Sequence, residues 1–162
     1  METTTSTPPV TMTMTVNATP QRAFEVFTDR FHSWWPAGHH IGEQDPVEIV
    51  IEPHGGGRWF ERGPDGAECD WGTVLTWDPP HRLVLAWQLD GEWKYEPDLD
   101  RASEVELRFV AESAGRTRVE FSHGKLDRHG ADAAAIRNGV AGDGGWRMIL
   151  SRYAGVFDDA DS

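Results

Sequence analysis

Apolar and polar residues alternate with a period of two along most of this chain, which predicts a fold built mainly of β-strands. Val10, Met12, Met14 and Val16 line one face of a first strand, Val10–Val16, and Thr11, Thr13 and Thr15 line the other. Four strands then follow closely between Glu48 and Gly91. Val47–Glu52 is a β-branched run that stops at Pro53, and Arg58–Arg62 is a short aromatic strand. Asp70–Trp77 ends at Asp78-Pro79-Pro80, where neither proline can donate to a ladder, and Leu83–Leu89 closes the set. Gly55-Gly56-Gly57 and Pro64-Asp65-Gly66 supply turns between them. Ser103–Ala111 and Thr117–His123 alternate again on either side of Ser113-Ala114-Gly115. Connections this short imply an antiparallel meander.

Helical spacing appears near both ends. Thr19-Pro20 reads as N-cap and first helical residue of Pro20–Thr28, whose apolar residues are Ala23, Phe24, Val26 and Phe27. A second short turn, Arg30–Trp35, ends at Pro36. Trp146, Ile149, Leu150, Tyr153, Val156 and Phe157 form one stripe on a final helix. Between the last strand and that helix, Gly124–Gly145 holds one short helix, Ala131–Asn138. The segment is poor in large apolar residues, which predicts a lightly held flap. Together these elements define an α+β domain over residues 10–158, after a frayed tail Met1–Pro9. Its seven-stranded antiparallel sheet must curl around the C-terminal helix, with two short helices after the first strand. Alternation turns Trp71, Thr73, Leu75, Leu85, Trp87, Leu107, Val119, Phe121 and His123 inward, with Trp59 beside them. Such an arrangement leaves a cavity between sheet and helix unless these bulky residues fill it. Trp146, Leu150 and Tyr153 would line its helical side.

Composition narrows the function classes. A length of 162 residues fits one domain, and the net charge of -12 argues against a nucleic-acid or anionic-membrane surface. No apolar run is long enough to insert in a bilayer. The single cysteine, Cys69, excludes an intrachain disulfide framework and fits a reducing cytoplasm. Eight tryptophans are a high count, read mostly as core with a subset available to line a site. His32, His39 and His40 match no closed zinc pattern and have no cysteine partner, so neither a metal nor a cofactor is expected.

The stretch EPHGGGRWFERGPDG…WGTVLTWDPPHRLVLAWQ resembles the activator-of-heat-shock-protein-90-ATPase-like family. That family lies within the START-related (SRPBCC) helix-grip superfamily, which includes the birch pollen allergen fold. GGRW at Gly56–Trp59, PDG at Pro64–Gly66, DPP at Asp78–Pro80 with Arg82-Leu83, and GWRMIL at Gly145–Leu150 carry the resemblance. The opening TPQRAFEVFTD…WWP, Thr19 to Pro36, is similar to the family's first helices, so the likeness runs from about Val10 to Phe157. Two departures stand out. The eukaryotic co-chaperone carries a further N-terminal chaperone-contacting domain for which this length leaves no room, which argues against chaperone activation. His81 stands where the family commonly has an acid before Arg-Leu, at a turn.

The resemblance implies a cavity for a hydrophobic small molecule, in a superfamily that ranges from lipid carriers to cyclases. Three readings follow. The first is a cytoplasmic binding protein for a hydrophobic ligand, with Thr73, His123 and Glu61 as polar anchors in an apolar set. The second is a cyclase- or aromatase-like enzyme in which buried His123 or Glu61 performs acid–base work. The third is a protein-interaction module, through chaperone contact or as a homodimer, which needs an exposed apolar patch.

Overall fold

The computed structural model describes residues 9–35, 46–90, 92, 94–142 and 145–157. One antiparallel sheet contains β1 Val10–Val16, β2 Glu48–Ile51, β3 Arg58–Arg62, β4 Glu68–Asp78, β5 Arg82–Trp87, β6 Ser103–Ser113 and β7 Arg116–Gly124. Its order is β1-β7-β6-β5-β4-β3-β2, so six consecutive strands make the expected meander. β1 pairs with β7, with Val10 opposite His123 and Val16 opposite Thr117. The helices are α1 Pro20–Thr28, α2 Phe31–Trp34, α3 Ala133–Ala141 and α4 Trp146–Gly155. Apart from Pro9, the predicted tail lies outside the described residues, as do His39 and His40.

Local chemistry explains the short helices. Thr19 Oγ1 accepts the Arg22 amide at 3.2 Å, and Pro20 stands where a missing N–H costs nothing. Phe24 and Phe27 turn inward onto Phe109 of β6, at ring separations of 5.3 and 6.5 Å. α4 is tied to both short helices by polar contacts. Tyr153 donates its hydroxyl to the Ala23 carbonyl at 2.7 Å, and Arg152 Nε donates to the Trp34 carbonyl at 2.8 Å. The sheet therefore curls around α4 with α1 and α2 closing one end.

The register corrects two inward assignments. Opposed residues in an antiparallel pair share a face. Trp59 faces Gly72, but Phe60 faces Asp70, so Trp71 is an extra residue in a bulge. Beyond it the parity of β4 is reversed. Gly72 and Val74 face Trp87 and Leu85 on the concave side, while Thr73 faces Ala86 on the convex side. There Thr73 donates to Gln88 Oε1 at 2.6 Å, and Gln88 Nε2 donates to the Glu96 and Pro97 carbonyls. A second irregularity between Val74 and Thr76 leaves Leu75 38% exposed. Neither Thr73 nor Leu75 faces the interior.

The expected flap is also better anchored than its composition suggests. A 3-10 segment, Leu126–Asp132, and α3 bury Leu126, His129, Ala133, Ile136 and Val140 against the domain.

Candidate functional site

Two strand positions inward of β4 decide what occupies the concave face. Trp59 and Trp87 flank Gly72, and their rings lie 5.9 Å apart because no side chain separates them. A Cβ at Gly72 would collide with the Ala86 carbonyl oxygen and lie 3.2 Å from Trp59 Cε3. Trp71, Trp35 and Trp146 extend the contact, with Trp35–Trp71 at 5.2 Å and Trp87–Trp146 at 5.8 Å. Leu85, Leu107, Val119 and Phe121 face in as the alternation predicts, and Leu150 and Tyr153 meet them from α4. The space between sheet and α4, where a cavity is expected, is thus packed with aromatic rings.

Polar groups enter this packing at two places. At the first, His123 is fully buried, and its two ring nitrogens are both engaged. The Trp146 indole N–H can only donate, so His123 Nδ1 accepts it at 2.9 Å and the ring proton sits on Nε2. Nε2–H then donates to Ser103 Oγ at 2.7 Å, and Ser103 Oγ–H donates to His129 Nε2 at 2.7 Å. The Ser103 amide reaches the same His129 nitrogen at 3.3 Å. Burial, with a smaller contribution from His129, pushes the His123 pKa down to about 3. Burial lowers that of His129 as well. His123 is therefore a neutral member of a closed chain, with no free nitrogen to take a substrate proton. Ser103 and His129 give no periodic signal of their own; only the inward direction of His123 points toward them.

The second polar point is Glu61, 2% exposed on the concave face of β3. It is opposite Ile49 on β2 and Cys69 on β4, and Glu61 Oε1 accepts the Trp71 indole N–H at 2.8 Å. A carboxylate held this way among rings is suited to proton transfer or to orienting a ligand. The nearby Cys69 thiol is pushed up in pKa by burial and then by the Glu61 charge, so it is not a ready nucleophile.

Open space lies at the other end of the concave face. A groove of about 760 Å3 runs between α1 and the edge strand β2, bounded by the β4–β5 turn. Phe24, Ile49, Ile51 and Trp77 supply apolar surface, and Phe24 meets Trp77 edge-on at 5.0 Å. Gln21, Glu25, Asp29, His32 and Glu48 provide a polar rim. Ile51 and Ile49 pair across β2–β3 with Trp59 and Glu61, so two lining residues of the groove are strand neighbours of the buried carboxylate and the indole cluster. The β-branched run Val47–Glu52 identifies the strand but not the groove, which forms where the curled sheet brings β2 across from α1.

A curled seven-stranded antiparallel sheet gripping a C-terminal helix is the helix-grip class of α+β proteins. The chain belongs to the family of activator of Hsp90 ATPase homolog 1-like proteins, whose family model matches residues 17–157. Among solved structures it is similar to the anthrahydroquino-γ-pyrone synthase Txn09, solved as a complex with SUM. The two are 43% identical over 93% of this chain and 97% of that one, with a TM-score of 0.66. It is also similar to CalC, a self-sacrificing resistance protein from Micromonospora echinospora. That likeness is 33% identity over 95% of this chain and 96% of the other, with a TM-score of 0.72. No curated protein sequence matches the chain significantly. No described helix is long and apolar enough to cross a membrane.

Proposed function

We propose that this protein binds a planar, polycyclic aromatic small molecule of polyketide type in the groove between α1 and β2. The observation that carries the reading is the groove itself. Its volume of about 760 Å3 lies within the range of small-molecule sites, with an apolar floor and a polar rim. Phe24 and Trp77 offer ring faces and edges for stacking. The names of the two similar proteins support an aromatic or natural-product ligand, one being a γ-pyrone synthase and the other a resistance protein. The test is a titration with xanthone, a neutral tricyclic γ-pyrone, followed by tryptophan fluorescence. Gln21 is exposed on the groove rim, so Gln21→Trp fills the groove without disturbing the core. Binding should be lost in that variant while the melting temperature stays at the parent value. Equal affinity in both proteins would place the ligand elsewhere.

A cyclase-like activity is the second reading, and buried Glu61 favours it over His123. Both His123 nitrogens are committed to Trp146 and Ser103, whereas Glu61 is a carboxylate, the group type that can remove a proton from a ligand carbon flanked by carbonyls. Glu61→Gln keeps an oxygen for the Trp71 indole. It should retain ligand binding and abolish ring closure of a polyketide-type substrate, assayed by product chromatography. Undiminished turnover in Glu61→Gln would eliminate Glu61 as the base.

A further inference from the structure

We infer that the Trp59 indole N–H is the hydrogen-bond donor that selects ligands carrying a ring carbonyl. The inference rests on the groove reading above and deepens it. Trp59 is fully buried, yet its Nε1–H has no acceptor among the described residues. A buried donor left unmet is costly, and native proteins keep few of them outside functional positions. Three other buried indoles here are satisfied: Trp34 donates to the Val26 carbonyl, Trp71 to Glu61 and Trp146 to His123. The Trp59 donor lacks the acceptor that these three have.

Its direction follows from the covalent shape of the ring. The Cε3 edge of the indole rests over Gly72 of β4. The N–H lies on the opposite long edge of the ring, away from Gly72. Trp59 does not itself line the groove, but across β3–β2 it pairs with Ile51, which does. A planar ligand that enters past Ile51 brings its inner edge to this N–H. A carbonyl oxygen on that edge supplies the missing acceptor, whereas a methylene leaves the donor unmet. The site thus distinguishes quinone- and pyrone-type rings from the corresponding hydrocarbons.

Xanthone and xanthene test this, because they share one tricyclic frame and differ by a carbonyl against a methylene. The parent protein should bind xanthone about tenfold more tightly than xanthene, the scale of one buried hydrogen bond. Trp59→Phe, which keeps an aromatic ring and removes the donor, should bring the two affinities together. In the parent, the Trp59 Nε1–H resonance should move downfield with xanthone and stay in place with xanthene, a readout that needs no variant. Equal binding of both compounds to the parent, or an unmoved Trp59 resonance in the saturated xanthone complex, overturns the inference and leaves the groove reading intact. If neither compound binds, the groove reading falls, and the inference with it.

Discussion

Donors and acceptors in the Trp146–His123–Ser103–His129 chain match only while His123 stays neutral. A proton added at Nδ1 would point at the Trp146 N–H, replacing a hydrogen bond by two opposed donors. The unfolded chain takes up that proton with an ordinary histidine pKa near 6.5, whereas the folded protein resists it down to about 3. Between those values the unfolded state binds more protons, so stability rises with pH and is lost as pH falls. From pH 7 to pH 5 the loss expected from His123 is roughly 2 kcal/mol, and His129 acts in the same direction. Urea midpoints measured at the two pH values check this, and a midpoint that does not move would contradict the neutral chain. Sequence alternation makes the inward direction of His123 legible. The partners that neutralise it come from the start of β6 and from an irregular 3-10 segment, and neither position carries a period.

Elements were legible wherever period and turn chemistry agreed, and β4 shows where that agreement fails. Its extra residue at Trp71 leaves an unbroken apolar–polar pattern in the sequence while reversing the faces of Gly72, Thr73 and Val74, until the second irregularity before Thr76 turns Trp77 inward again. Thr73 and Leu75 follow the pattern and miss the interior, and Gly72 and Val74 take their places. The close approach at Gly72 leads to a specific expectation. Gly72→Ala sets a methyl against the Ala86 carbonyl and the Trp59 ring, both fixed in the sheet. The variant should lose roughly 3 kcal/mol or more in a denaturant titration, at the upper end of overpacking costs. Loss below about 1 kcal/mol would mean that the strands separate there more easily than the register implies. The C-terminal helix invites a larger cut. Truncation at Gly145 removes buried Trp146, Ile149, Leu150 and Tyr153, together with the bonds to Ala23 and Trp34. Each aromatic contributes roughly 3–5 kcal/mol against a typical total of about 5–15 kcal/mol. The truncated chain should show no cooperative melting transition; a transition near the parent temperature would show that the sheet stands without its grip.

For the whole molecule, the family and the sheet order follow from motifs and alternation spread along the chain, whereas the groove depends on closure. α1 and β2 are separated in sequence, and no local pattern states that the curled sheet sets them across one groove from each other. Tryptophans expected to line a cavity against α4 instead pack on one another, and open volume lies toward α1. The central claim is that an aromatic ligand occupies that volume. Intermolecular nuclear Overhauser effects between xanthone ring protons and the protein's methyl groups test it most directly. The account predicts contacts to the methyls of Ile49, Ile51 and Thr28, which line the groove. Contacts confined to Leu150 and Leu107, between α4 and the sheet, would contradict it.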